Sequence, residues 1–242
     1  MGKMGTPSEH TPLGQLAERY WVQSRRPLAS LVFIAPLLVT YEVGVLWLGV
    51  RPNGADDFMR RLLDLFGFGQ HFLLPGLTVG ILLGWHYLSR QSWHLSGGIL
   101  SAMAVESILL GLCVRVIVFL QNSVAALGIG ESMKNAFQTA VGYLGAGIYE
   151  ELLFRLILLS LLIWAFRHAV ASPRLGMILA VLLSSLLFSA AHHVGPCGLP
   201  FSAFDFVFRI LAGVFFSLVF VYRGFGIAAG SHAAYDILAG MF

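Results

Sequence analysis

Apolar residues run along this chain in long uninterrupted blocks rather than alternating with polar ones. Blocks of about 18 or more such residues predict helices that cross a bilayer, at ~1.5 Å of rise per residue. The blocks lie at about Leu28 to Val50, Phe72 to Leu88, Gly98 to Gln121, Phe137 to Phe166, Leu175 to Val194, Ala203 to Tyr222 and Gly224 to Phe242. Seven spans are expected, or eight if the fourth block splits at Gly145 and Gly147 or the 51–70 segment dips into the membrane. Within the polar opening, residues 1–26, Leu13 to Val22 predicts a short interfacial helix. The interruption at 51–70 holds an amphipathic stretch, Asp57 to Phe66, expected to lie at the membrane surface. A turn at Arg167 to Arg174 and a Gly/Pro loop at Gly195 to Pro200 break the later helices. With no internal repeat, the pattern predicts an all-α, polytopic membrane bundle as a single domain over 1–242. Residues 1–26 form its polar N-terminal segment and 137–240 its motif-bearing core.

Composition agrees with this architecture. The chain is 57% hydrophobic and 11% charged, with a mean hydropathy of +0.80, whereas soluble chains carry ~25% charged residues. A net charge of +3 does not point to nucleic acid, because the basic residues sit at the ends of apolar blocks without a patch of interleaved aromatics. Cys113 and Cys197 offer neither a CxxC spacing nor a disulfide framework. No cleavable signal is evident, so the first block is expected to stay as an anchor. With seven spans and the N-terminus inside, Lys3, Arg19, Arg25, Arg26, Arg90, Arg167, Arg174 and Arg223 face the cytoplasm. Arg51, Arg60, Arg61 and Lys134 face outward. That bias predicts an integral, multi-pass protein with its N-terminus inside, and the expected location is a prokaryotic inner (cytoplasmic) membrane. One extra span would invert the C-terminal half.

The candidate chemistry comes from ionisable residues inside these spans. Glu150, Glu151 and Arg155 fall within six residues of the fourth block, at a cost of ~2.5–3.5 kcal/mol each at a span centre. Glu151 and Arg155 are four apart on one helical face, acid before base, and are expected to pair. Glu150 is turned ~100° away and lacks that partner. His192 ends the fifth span one turn after Phe188, and His232 and Asp236 share a face of the last span. Two chemistries suit these groups. In one, Glu150 is the general base on a water held by His192, while His232 and Asp236 stabilise an oxyanion. In the other, the two histidines and a carboxylate (Glu150, His192 and His232) hold a catalytic Zn²⁺.

Glu150-Glu151-x-x-x-Arg155, Phe188-x-x-x-His192 and His232-x-x-x-Asp236, in that order and each in its own apolar span, resemble the three motifs of the CPBP family. That family comprises CAAX prenyl-protease-like and bacteriocin-immunity-type (Abi) intramembrane proteases. The resemblance covers about 137–240. It implies an endopeptidase that cleaves near the end of a membrane-associated protein substrate. Glu150 and His192 would activate water, and His232 with Asp236 would form the oxyanion site. It favours a glutamate-type enzyme with no cofactor, with zinc as the alternative. Relatives handle prenylated CAAX tails, bacteriocin-type peptides or C-terminal sorting tags, and composition does not separate these. Asp236 stands where Asn is commoner. An ionised Asp cannot donate to an oxyanion, so it must be protonated, orient His232 or bind a metal.

Two other functions fit a bundle with buried charges. A transporter predicts inverted repeats, and none is seen. A non-catalytic scaffold or immunity protein of the same fold predicts a lost motif residue, and every motif position is filled. Further expectations are structural. His193 contacts a loop, Asp205 pairs with Arg209, and Glu106 and Arg115 pair across helices. Glu42 lacks a local partner, the five tryptophans anchor span ends, and Gly44, Gly80, Gly84 and Gly111 permit close packing.

Overall fold

In the computed structural model the described residues are 12–50, 54–64, 70–121, 133–194 and 198–241, and they form helices with no strand among them. Lys3, Arg51, Glu131, Cys197 and the rest of 195–197 in the Gly/Pro loop lie outside them, as does the side chain of Lys134. In chain order the helices are α1 (Pro12–Ser24), α2 (Pro27–Leu48), α3 (Gly54–Asp64), α4 (Gln70–Leu88) and α5 (Gly97–Gln121). α6 (Met133–Glu151) continues through a π-helical stretch, Leu152–Leu159, into α7 (Ser160–Ala169). α8 (Pro173–Ala191), α9 (Ala203–Arg223) and α10 (Phe225–Met241) follow. Pro27 and Pro173 open their helices, where a missing N–H costs nothing. The Ser172 and Ser202 hydroxyls accept from the N–H of Leu175 and Asp205 at 3.4 Å, capping α8 and α9. Gly49 and Gly224 take positive φ, 67° and 86°, where α2 and α9 end.

Five helical segments are long and apolar enough to cross a membrane: Pro27–Leu48, Gly97–Val116, Phe137–Ala169, Pro173–Ala191 and Ala203–Arg223. They correspond to the predicted first, third, fourth, fifth and sixth spans. The predicted second span is a shorter apolar helix, Leu73–Leu88, and the predicted seventh is α10, of 17 residues. α10 is short and rich in Gly, Ala and Ser because it is the centre of the bundle, packed against α2, α5, α6 and α9. From Phe225 to Ala233 it is buried throughout. Small residues let its neighbours approach closely. A Cβ on Gly147 of α6 would stand 2.6 Å from the Ala233 nitrogen, and one on Gly111 of α5 would stand 2.9 Å from the Tyr235 nitrogen. Gly80 and Gly84 differ from the expectation: nothing lies near either, because α4 turns that face away from the protein.

Two polar networks brace the periphery against this centre. Glu106 of α5 pairs across helices, as expected. It binds Arg223 at the end of α9, at 2.5 Å, and accepts the Tyr20 hydroxyl of α1. Burial next to that carboxylate holds the Tyr20 hydroxyl above its ordinary pKa. Glu42 of α2 also finds partners, accepting from Arg60 of α3 at 3.1 Å and from the hydroxyl of Tyr149 on α6. Asp56 accepts from Tyr41 at 2.5 Å and also binds Arg60. The amphipathic segment is therefore clamped to α2 and α6 through its buried Asp56 and Arg60. Trp47 near the end of α2 and Trp93 in a loop are more than half exposed, as membrane anchors would be, and so is Trp164 within α7.

Candidate active site

Glu150 and Glu151 close α6, and the helix then widens into its π-helical stretch. The wider turn shows at Ser160, whose hydroxyl donates to the carbonyl of Arg155, five residues back, at 3.4 Å. Such stretches are rare in helices and recur at functional sites. Here the local geometry keeps Glu151 and Arg155 in contact, with Arg155 Nη1 2.9 Å from Glu151 Oε1, both side chains wholly buried. Arg155 lies 4.4 Å above the Phe188 ring and donates to the Gly213 carbonyl at 3.4 Å. One guanidinium thus joins α6, α8 and α9. The expected structural pair is present.

The same Glu151 oxygen accepts from His232 Nδ1 at 2.7 Å. Glu151 is already engaged by Arg155, so it acts as an acceptor and the Nδ1 hydrogen lies on the imidazole. Phe216 of α9 stacks on the His232 ring, centroids 4.5 Å apart and planes within 11°. Both contacts fix the ring so that Nε2 faces Glu150 Oε2 at 3.7 Å. His192, at the end of α8, is set in a parallel way. Its Nδ1 donates to the Phe188 carbonyl at 2.9 Å, and its Nε2 faces the same Glu150 oxygen at 3.8 Å. Asp236 Oδ2 lies 3.5 Å from His232 Nε2. Among the described residues no lysine or arginine forms an ion pair with Glu150. One carboxylate is held rigidly; its neighbour stands between two imidazoles.

Glu150 and Asp236 line two cavities. One, of about 540 Å³, runs past Val50, Gln138 and Tyr143 between the end of α2, α6 and α10. The other, of about 400 Å³, also holds His192, His232, Phe216, Arg115 and Arg209. The four residues assigned to catalysis from the sequence, Glu150, His192, His232 and Asp236, therefore converge, with a concave space on either side of them.

His193 takes the loop-holding place expected of it, with Nδ1 3.1 Å from the Leu199 carbonyl and its ring against Phe201 and Phe206. Asp205 and Arg209 do not form the expected ion pair, although they share a helical face. Asp205 lies in the first turn of α9, where Ser202 caps its backbone N–H. Phe216 and Gly213 carried no sequence signal, because an aromatic and a glycine in an apolar span read as ordinary packing. As for zinc, the described residues hold no group of three or more His, Cys, Asp or Glu arranged to bind a metal ion. Both Nε2 atoms face the same Glu150 oxygen, at 3.8 and 3.7 Å.

Residues 132–238 match the Rce1-like family, described as type II CAAX prenyl endopeptidase Rce1-like. No curated protein and no solved structure shows a significant match to the chain. The matched stretch contains Glu150, Glu151, Arg155, Phe188, His192, His232 and Asp236, the residues whose geometry is described above. It agrees with the resemblance to CPBP proteases and with a protease in a polytopic helical membrane protein. Over residues 132–238 the chain is thus similar to the Rce1-like CAAX endopeptidases, a likeness that points to a protease.

Proposed function

We propose that the protein hydrolyses a peptide bond near the C-terminal end of a membrane-associated protein, lipidated or bearing a sorting tag, by glutamate-assisted attack of water. The single observation that carries this reading is the position of Glu150 Oε2 between the Nε2 atoms of His192 and His232, at 3.8 and 3.7 Å, with no lysine or arginine among the described residues paired to it. With its Nδ1 hydrogen committed to Phe188, neutral His192 offers a lone pair at Nε2. A water donating one hydrogen to Glu150 and the other to His192 turns its own lone pair outward, towards a carbonyl carbon. Glu150 takes the first proton as the C–O bond forms, then passes it to the departing amine as the C–N bond breaks.

His232 serves the oxyanion. Its Nδ1 hydrogen is committed to Glu151, so Nε2 can donate only when the ring is an imidazolium. Carboxylates of Glu150, Glu151 and Asp236 all lie within 4 Å of the ring, surroundings that suit that cation. Asp236 then orients and charges His232 rather than donating to the oxyanion itself. The N-terminus is assigned to the cytoplasm of a prokaryotic inner membrane, which puts the cavities between the midplane and the outer leaflet.

The test is Glu150→Gln in cells. Processing of the native substrate is expected to stop while protein level and membrane insertion persist. Undiminished processing would remove Glu150 from the chemistry and favour the non-catalytic scaffold reading.

A further inference from the structure

We propose that Arg115 and Arg209 form an anion-binding subsite that receives the free C-terminal carboxylate of the substrate and so sets which bond is cut. The proposal rests on the hydrolytic reading above and deepens it. Both arginines line the cavity of about 400 Å³ that holds Glu150, His192 and His232. Neither forms an ion pair with any described residue. Glu106, the acid that shares α5 with Arg115, is taken by Arg223 at 2.5 Å. Asp205, expected to pair with Arg209, makes no ion pair, and Arg209 Nη1 is buried with no hydrogen-bond partner among the described residues. Two guanidinium groups at membrane depth without a direct counter-ion are costly. An entering carboxylate would satisfy both, and the planar fork of arginine matches carboxylate geometry in a way lysine does not.

Spacing supports a carboxylate carried by the peptide being cut. Phe216 stacks on His232, and Arg209 precedes it by seven residues on α9. Seven residues are two turns, so both point the same way, ~10.5 Å apart along the helix. An extended peptide covers that distance in about three residues. Arg115 reaches the same place from α5, one turn beyond Gly111, whose backbone lies against α10 at Tyr235. Tyr235 lies within the electrostatic reach of both arginines, and Glu150 and His192 within that of Arg209. Asp205 and Asp236 line the cavity too. Arginines that only balanced these acids would give no preference for the charge of a peptide's end.

The experiment uses the Glu150→Gln protein in phosphatidylcholine nanodiscs, so that binding is read without turnover. The probe is a fluorescent S-farnesylated CAAX peptide made either with a free C-terminal carboxylate or as the carboxamide. The acid is expected to bind about 10- to 100-fold more tightly than the amide, the range of a buried charge-assisted contact. Adding Arg209→Gln or Arg115→Gln should bring the two forms to near equality, and Arg209→Lys should keep part of the preference. Equal binding of acid and amide, no binding of the acid, or a preference that survives both Gln substitutions overturns the proposal. So does stabilisation by added phosphatidylglycerol that Arg209→Gln abolishes without any acid preference, which would assign the arginines to a lipid headgroup. Wild-type protein separates the two readings. Arginine-dependent acid binding without hydrolysis leaves the subsite standing and fails the hydrolase reading, whereas hydrolysis blind to the peptide's end fails the subsite alone.

Discussion

His232 and Glu151, 81 residues apart in sequence, are joined at 2.7 Å between Nδ1 and Oε1 in the buried centre of the bundle. Because Glu151 also holds Arg155 at 2.9 Å, one carboxylate ties α10 to the helix that carries Glu150 and, through Arg155, to α9 and α8. Glu150 has no such ties. Adjacent glutamates thus divide into one tied to other helices and one that faces two imidazoles.

That division predicts different stabilities. Glu151→Gln leaves the Arg155 charge buried without its partner, a loss of about 3–5 kcal/mol for a broken buried pair. Glu150→Gln removes an acid that no arginine or lysine among the described residues pairs with, and should be neutral or stabilising. Thermal unfolding of the detergent-solubilised variants checks this, and equal melting temperatures would contradict the division.

A second prediction concerns α3. Tyr149, next to Glu150, donates to Glu42, which binds Arg60. Tyr149→Phe strips one donor from a partly buried carboxylate, a loss of about 1–3 kcal/mol. Amide hydrogen exchange across Gly54–Asp64 should speed up while that of α8 stays unchanged. Unchanged exchange in α3 would show that the contact does not hold the segment down.

How much of this was legible in the sequence follows from the range of the interactions. The helices and the Glu151–Arg155 pair depend on apolar runs and four-residue spacing, which are local. The partners of Glu42, Glu106 and Arg223 come from other helices, so no spacing rule could find them, and the i, i+4 rule misassigned Asp205 and Arg209. The rule treats a helix as isolated, yet Asp205 sits in a first turn beside a loop while Arg209 faces a cavity. α10 read as one more span by its hydropathy. Its Gly, Ala and Ser content was the available sign that protein rather than lipid surrounds it.

Topology gives a third prediction. In the N-inside arrangement the end of α8 and the start of α9 face outward. Ser202→Cys, in a background with Cys113 and Cys197 replaced, should be modified by a membrane-impermeant maleimide added to intact cells. Labelling confined to reagents that reach the cytoplasm would invert the orientation and move the cavities to the inner leaflet.

The fourth concerns metal. A water held by Glu150 and His192 needs no metal ion to lose its proton, so exhaustive treatment with a zinc chelator should leave the hydrolysis rate within about twofold, far from the loss of a catalytic base. A chelated protein that is inactive and regains activity on adding Zn²⁺ would replace the glutamate-type mechanism with a metal-assisted one.

The central claim is that Glu150 activates the attacking water. The most direct measurement is the single-turnover hydrolysis rate of purified Glu150→Gln beside wild type, at saturating peptide and in the same nanodiscs. Loss of a general base lowers such a rate by about 10²–10⁴-fold. A drop in that range with peptide affinity retained is the predicted result; a rate within about threefold of wild type would contradict the account.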